Sequence, residues 1–263
     1  MSEVIVVTSG KGGVGKTTTS ANIGTGLSML GKKVVMIDAD IGLRNLDVVM
    51  GLENRIVYNL IDVIEGNCRL KQALIKDKKQ NNLFLLPAAQ TRDKDAVTPQ
   101  QMKDLCIALK EEFDYVIIDC PAGIEQGFKN AIAGADKGIV VTTPEVSAVR
   151  DADRIIGLLE AHELSNPTLI VNRVRADMVK RGDMMSVEDV VEILAIDLIG
   201  AIPDDENIVI STNTGDPIVS NQTIISGKAY LNICNRILGE EVPYLDFSEK
   251  GLFSKIKNMM ARG

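Results

Sequence analysis

The sequence predicts an α/β protein with a doubly wound, mostly parallel sheet and helices on both faces. Short runs of Val, Ile and Leu alternate with helical patterns along the chain, which is the order that parallel strands and crossover helices produce. The strand runs are almost entirely apolar, as expected where both faces of a sheet are covered. Polar residues end or directly follow several of these runs, at the edge where doubly wound sheets bind their ligands. They are Ser9, Asp38, Asp119, Thr143, Asn172 and Asp204.

Seven apolar runs predict the strands, in chain order. The first is rich in β-branched residues and stops before Ser9 and Gly10. Later runs stop before Pro87, Pro144 and Pro203, because proline cannot donate to a ladder of backbone hydrogen bonds. The predicted strands cover residues 4–8, 33–37, 83–86, 115–118, 138–142, 168–171 and 198–202.

Helical patterns occupy segments between these strands. Gly31 closes the first of them, as glycine commonly does after a helix C-terminus. Thr98 suits an N-cap and Pro99 a first turn, and Ser186 with Asp189 resembles a capping box that has Asp in place of Glu. The predicted helices cover residues 17–30, 58–64, 148–161, 186–194 and 223–238, and one more begins at residues 98–99.

The composition excludes several classes of protein. Of 263 residues, 45% are hydrophobic and 25% are charged, with a net charge of −7. The apolar content excludes a disordered chain, and the acidic charge argues against a protein that coats DNA. No run of 18 apolar residues predicts a membrane span, and no signal peptide is recognisable. We therefore expect a cytoplasmic protein whose four separate cysteines are reduced thiols, and the single histidine argues against a His-based zinc site or a Ser-His-Asp triad.

A glycine-rich segment carries the strongest functional signal. Residues 10–17 read Gly-Lys-Gly-Gly-Val-Gly-Lys-Thr and match the phosphate-loop pattern G-x-x-x-x-G-K-[ST], between a strand and a helix as that pattern requires. Backbone N–H groups and the helix N-terminus would surround the phosphates. Lys16 is expected to reach the β- and γ-phosphates of ATP and Thr17 to bind Mg²⁺. A glycine-rich turn without a ligand is the alternative, but it needs neither that lysine nor that threonine.

Aspartates at two strand ends complete the predicted site. Residues 116–119, Val-Ile-Ile-Asp, have the Walker B pattern, and Asp119 would hold Mg²⁺ through a water. Asp38 and Asp40 end the second strand and could orient the attacking water and the water shell of the metal. We predict that Asp40 positions the water and that Asp38 supports the metal, although nothing in the sequence ranks the two. Helix capping or a loop position is the alternative for these carboxylates.

The first lysine of the loop points to a family. Residues 10–18, Gly-Lys-Gly-Gly-Val-Gly-Lys-Thr-Thr, resemble the deviant phosphate loop of the ParA/MinD family of dimerising ATPases. The resemblance implies that Lys11 crosses a dimer to the ATP of the partner and acts as an arginine finger does; an ordinary solvated lysine is the alternative. Residues 38–47 and 119–123 resemble the switch I and switch II segments of the family.

The resemblance also implies which residues bind nucleotide. The catalytic residues would be Lys11, Lys16 and Asp40. The phosphate-binding residues would be Lys11, Gly12, Gly13, Val14, Gly15, Lys16, Thr17 and Thr18. Strand-end residues are expected to wrap adenine, unless they are simply strand-end caps; these are Asn172, Arg173, Pro203 and Asp204.

The C-terminal residues predict a separate element. We expect an ATPase domain over residues 1–240, a tether over 241–249 and an amphipathic helix over 250–263. On a helical wheel the apolar residues of this tail fall within one arc of about 120°, and four basic residues occur there without an acidic one. Such a helix is typical of binding to an anionic membrane surface, and packing back on the domain is the alternative. The predicted membrane residues are Leu252, Phe253, Lys255, Ile256, Lys257, Met259 and Met260.

The tail and the charge select among members of the family. Both favour the membrane-cycling type of ATPase. The resemblance implies that such a protein is an ATP-dependent homodimer on the inner face of the cell membrane and acts in placement of the bacterial division site. A DNA-segregation ATPase would carry a basic surface, so no specific nucleic acid is expected. A flagellar-number relative shares nearly every feature and stays open. The resemblance implies a division inhibitor and a topological regulator as partners.

Overall fold

The protein is described here by a computed structural model that covers residues 2–90 and 96–247. An eight-stranded sheet runs through it in the order β3-β4-β2-β5-β1-β6-β7-β8. Every pair of neighbouring strands is parallel except β3 and β4, which are antiparallel. The strands are β1 Glu3–Thr8, β2 Val34–Asp38, β3 Ile75–Lys76, β4 Leu83–Leu86, β5 Tyr115–Asp119, β6 Lys137–Thr142, β7 Thr168–Val174 and β8 Leu198–Pro203.

Helices cover both faces of the sheet. They are α1 Lys16–Met29, α2 Leu46–Val49, α3 Leu60–Ile64, α4 Leu70–Ala73, α5 Pro99–Lys110, α6 Gln126–Ile132, α7 Val146–Ala161, α8 Ala176–Arg181, α9 Val187–Leu194, α10 Glu206–Thr214 and α11 Ile225–Ile237. Short 3₁₀ turns lie at Glu53–Arg55 and Ile218–Ser220. Apolar residues of α5, α6, α7 and α9 form the core on one face, and those of α1, α2 and α11 form the core on the other. The predicted doubly wound, mostly parallel α/β fold is confirmed.

Strand β1 shows why the strands are apolar throughout. Val4 and Val6 face one core, whereas Ile5 and Val7 face the other. All four side chains are buried, because successive side chains of a strand point to opposite faces and helices cover both.

The predicted capping signals form as expected. Thr98 accepts from the backbone N–H of Gln101, and Ser186 accepts from that of Asp189; each third residue bonds back to the cap. Several strands extend further at their carboxyl ends than predicted, so that Asp38, Asp119 and Asn172 lie within strands. The elements that the sequence did not predict are short or lack an apolar period: α2, α4, α6, α8, α10 and β3.

The chain after α11 lies against the domain. Residues 241–247 follow the last helix, and Leu245 and Phe247 pack on the two cores. The predicted amphipathic helix, residues 250–263, lies outside the described residues, as do all the predicted membrane residues. None of the helices within 2–90 and 96–247 is long and apolar enough to cross a bilayer.

Candidate nucleotide site

The carboxyl ends of three neighbouring strands form the site. Strand β5 lies between β1 and β2, and Asp119 is in register with Asp38 of β2 and Val7 of β1. The backbone N–H of Ala39 donates to the carbonyl of Asp119 at 3.0 Å. The sheet therefore brings both predicted strand-end aspartates to the point where β1 runs into the phosphate loop.

The backbone of the phosphate loop has a positive φ at two of its glycines. Gly13 and Gly15 have φ values of +79° and +102°, in a region that side chains other than glycine rarely adopt. Gly15 is the N-cap of α1, so the loop delivers its backbone N–H groups to a helix N-terminus, which suits an anion.

Lys16 is held inside this loop. Its side chain is buried, and Nζ donates to Oγ of Ser9 at 3.0 Å. Oγ of Ser9 in turn donates to the carbonyl of Lys11 at 2.8 Å. The ammonium group thus lies within the loop, and its contact with phosphate stays a prediction. The bond from Lys16 to Ser9 was not predicted.

Two hydroxyl groups of α1 lie beside the Walker B aspartate. Oγ of Ser20 donates to Oδ1 of Asp119 at 2.8 Å, and the hydroxyl of Thr17 is close enough to lower the pKa of this carboxylate. Burial raises the pKa of Asp119 above its ordinary value, and these two hydroxyls, with Lys16, oppose that rise. A buried carboxylate beside a threonine hydroxyl is a ligand set that suits a magnesium ion with its waters.

Asp38 has a role that the sequence did not predict. Its Oδ1 accepts from the N–H of Asp40 at 3.0 Å, and its Oδ2 accepts from those of Asn45 and Leu46 at 3.2 Å each. The carboxylate thereby closes the switch I loop onto the end of β2. Burial, followed by the charge of Asp119, raises the pKa of Asp38 above its ordinary value. A cation bound beside these two buried carboxylates would relieve the repulsion between them and lower both pKa values. The structure therefore supports Asp38 as the residue that orders switch I, and its metal role stays a prediction.

Switch I contains a second buried carboxylate. Asp47 is fully buried, and its Oδ2 lies 2.9 Å from Nε of Arg44. Arg44 has a φ of +37°, which is uncommon outside glycine. Asp40 lies between these anchors, half-buried at the end of β2. The loop is thus fastened on both sides of the aspartate predicted to position water.

Lys11 lies on the outside of the same loop. Nearly half of its side chain is exposed, and Nζ lies 3.9 Å from Oε2 of Glu145 and 3.4 Å from Oγ of Ser147, at the start of α7. An exposed pair at this distance contributes about 0–1 kcal/mol. Lys11 can therefore leave this position at little cost.

The residues predicted to wrap adenine come together at the ends of β7 and β8. Val174 is in register with Pro203, and the N–H of Asp204 donates to the carbonyl of Val174 at 3.0 Å. The amide of Asn172 donates to the carbonyl of Val14 at 2.8 Å, so it supports the phosphate loop. Arg173 is exposed with a φ of +57°. Their contact with a base stays a prediction.

The cysteines carry no disulfide. All four are free, and three are buried. Cys120 follows the Walker B aspartate, and burial raises the pKa of its thiol to about 12. Reduced thiols stay an expectation.

The fold and this site define a P-loop nucleotide-binding protein. Comparisons with known proteins narrow that class. A family model described as an AAA domain matches residues 2–171. The chain is 60% identical to the septum site-determining protein MinD of Bacillus subtilis (strain 168) over 262 residues, 98% of each chain.

Two solved structures are similar over most of the chain. The MinC:MinD cell division protein complex of Aquifex aeolicus matches at 50% identity with a TM-score of 0.86, covering 94% of this chain and 100% of that chain. MinD complexed with Mg-ADP from Pyrococcus horikoshii OT3 matches at 28% identity with a TM-score of 0.82, covering 90% and 96%. The chain belongs to the MinD family of septum site-determining proteins, within the ParA/MinD ATPases.

Proposed function

We propose that this chain is an ATPase that dimerises on binding ATP, cycles on and off the membrane through its C-terminal tail and acts in placing the division site. The observation that carries the proposal is the different placement of two lysines in one loop. Lys16 is buried and bonded within the loop, whereas Lys11 is half-exposed and faces the start of α7. One lysine thus serves the chain's own nucleotide, and the other is available to a partner's nucleotide.

The residues of the site fit ATP with Mg²⁺. The loop N–H groups and Lys16 would bind the phosphates, and Thr17 with Asp119 would hold the metal, which would offset charge on the phosphate oxygens. Asp40 would orient the attacking water. Lys11 would supply positive charge to the partner's phosphates only in the dimer, so hydrolysis would depend on dimerisation.

The tail would couple dimerisation to the membrane. One tail gains roughly 1.5–3 kcal/mol for each large side chain that it buries, but ordering a dozen residues offsets much of that gain. Two tails bind by avidity, with a gain on the order of 10²–10⁴. ATP would therefore promote membrane binding by joining two tails, and hydrolysis would release them.

The proposed partners follow from relatives. The solved Aquifex aeolicus complex contains MinC together with MinD, which supports a MinC-like division inhibitor as a partner of this chain. A MinE-like topological regulator is proposed from the family resemblance alone.

Vesicle co-sedimentation tests the proposal with the full chain, anionic phospholipid vesicles and either ATP or ADP. We expect sedimentation in ATP only, and its loss on deletion of residues 250–263. Phe253→Glu should also abolish it, because a charge in the apolar arc is costly to bury. Asn258→Glu is the matched control: it adds the same charge on the opposite face of the wheel, and it should weaken binding less.

A DNA shift assay in ATP distinguishes the segregation ATPase. If the full chain ignores vesicles in both nucleotides but shifts DNA in ATP, the proposed membrane function is wrong. If the tail deletion still sediments with anionic vesicles in ATP, the tail is not the anchor. Deletion should leave ATP-dependent dimerisation unchanged, because the nucleotide site lies wholly within residues 1–240.

A further inference from the structure

Residues 241–247, which we call the strap, cross the open edge of the sheet. Strand β8 ends the sheet order, and in the described part of the chain it pairs only with β7. Leu245 packs on the core of one face, and Phe247 packs on the core of the other. The strap therefore passes from face to face around β8. An edge strand presents unpaired backbone groups, and the strap lies where these groups would otherwise meet solvent.

A tight helix end turns the chain towards this edge. Gly239 has a φ of +84°; its N–H donates to the carbonyl of Arg236, and the N–H of Glu240 donates to that of Asn235, each at 3.0 Å. These two bonds are the Schellman motif, in which a left-handed residue ends a helix. The chain leaves α11 in a defined direction as a result.

One arginine then holds the strap to the sheet. Nη1 of Arg236 donates to the carbonyl of Ile199 in β8 at 2.9 Å. On the other side of the guanidinium, Nε and Nη2 donate to the carbonyl of Val242 at 3.1 and 2.8 Å, and Nη2 donates to that of Pro243 at 3.0 Å. The guanidinium bridges edge strand and strap with its planar fork, which lysine could not reproduce.

Tyr244 completes the attachment. Its ring lies 4.1 Å from the guanidinium carbon of Arg236, a cation–π contact. Its hydroxyl donates to the carbonyl of Leu198 at 2.5 Å, so two β8 carbonyls are bonded by side chains. Burial lowers the pKa of Arg236, and Tyr244 opposes that fall. We call Arg236 and Tyr244 the clamp.

We propose that the clamp positions the membrane-binding tail, an inference that rests on the proposed function. With the strap docked, four residues, 248–251, separate Phe247 from the first apolar tail residue, Leu252. With the strap released, eleven residues, 241–251, would separate the domain from Leu252. A shorter link raises the effective concentration of the second tail at the membrane, roughly as the −3/2 power of length. Arg236 and Tyr244 are thus positioning residues for avidity.

The test uses the full chain with Tyr244→Ala or Arg236→Met, and vesicles of anionic phospholipid. We expect each variant to bind about 3- to 5-fold more weakly in ATP, with ATP-dependent dimerisation and lipid-free turnover unchanged. Limited proteolysis within residues 241–247 should become faster, because a released strap is an exposed segment. Val57→Ala, which removes exposed apolar surface elsewhere, is the control and should change neither measurement.

Inserting a spacer distinguishes two reasons why a clamp variant could bind vesicles more weakly: a longer link to the tail, or a structural defect in the domain. Seven Gly/Ser residues inserted after Phe247 should weaken vesicle binding of the native chain as much as Tyr244→Ala does. In the Tyr244→Ala background the same insertion should cost only about 2-fold, because that link is already long. Full additivity of the two changes would overturn the inference.

The outcomes for the two proposals are distinguishable. If the native chain fails to bind vesicles in ATP, the proposed function is wrong, and this inference is wrong with it. If the native chain binds, and the clamp variants expose the strap but bind equally well, only the inference fails. If neither variant speeds proteolysis within residues 241–247, the clamp does not hold the strap, and the inference is again overturned.

Discussion

The nucleotide edge of the sheet and the outer edge of β8 are stabilised in opposite ways. At the first, buried carboxylates accept bonds from several different groups: Asp38 from three backbone N–H groups and Asp119 from the hydroxyl of Ser20. At the second, the half-buried Arg236 alone makes four hydrogen bonds. The first arrangement is preorganised, because its bonds are shared among many groups. The second depends on Arg236 and one further side chain, Tyr244, so it is the more easily released.

The largest effect is expected at the nucleotide edge, for Lys16→Ala. Removing a buried cation from a phosphate site costs about 2–5 kcal/mol, which weakens ATP binding roughly 30-fold or more and also removes turnover. Fluorescent-nucleotide titration and phosphate release measure the two effects. Lys103→Ala, an exposed lysine of α5, is the control for loss of charge. Unchanged affinity and turnover in Lys16→Ala would refute the site assignment.

The second prediction compares Lys11 with Lys16, the two lysines of the phosphate loop. Lys11→Ala should leave ATP bound to monomers but reduce turnover by about 10³-fold, the lower range for a cation supplied in trans. Mixing Lys11→Ala with a chain that cannot bind ATP tests for action in trans: the second chain supplies Lys11, and the first supplies the nucleotide. Normal ATP-dependent dimerisation and turnover in Lys11→Ala alone would leave this residue an ordinary surface lysine.

A smaller effect is expected for Asp40→Ala. We expect ATP to bind and hydrolysis to slow by about 10²-fold, within the range for a positioned proton-transfer group. Size exclusion in ATP should then show a persistent dimer. Asp77→Ala is a suitable control, since Asp77 caps a turn by accepting from the N–H groups of Lys79 and Gln80. Rapid hydrolysis by Asp40→Ala would contradict its assigned role.

The smallest effect concerns the β8 edge and compares two glycines. Gly239→Ala should destabilise the helix end by about 1–2 kcal/mol, because the native φ is +84°. Gly157→Ala, within α7 at a position where a methyl group would meet open space, should instead stabilise by about 0.5–1 kcal/mol. Denaturant unfolding measures both changes, and equal signs would show that the Schellman turn does not constrain the chain.

The functional residues of the site were predictable from the sequence where they are close together along the chain. The phosphate loop is contiguous, so Lys16 and Thr17 were predictable from spacing alone. The hydrogen bonds of Asp38 to residues seven and eight positions later were not, because they depend on how switch I folds back. The amide of Asn172 pairs with Val14, a residue 158 positions away, and no local pattern reports such a contact.

The fold shows the same division. Long apolar runs predicted seven of the eight strands, whereas β3 has only two residues and gave no periodic signal. Helix α10, Glu206–Thr214, contains a β-branched run and one buried residue, Ser211. Its sequence lacks an apolar stripe, because only part of it faces the domain.

By itself the sequence determined the α/β class, the strand and helix periods and the phosphate loop, because these follow from local spacing and from burial on both faces of a sheet. Only the tertiary structure decided which carboxylates meet, which lysine is buried and where the chain goes after α11. Those outcomes depend on strand order and on contacts between residues far apart in sequence. Arg236 is the clearest case. The sequence shows only a cation at the end of a helix, and Arg236 becomes part of a clamp because strand β8 lies beside it.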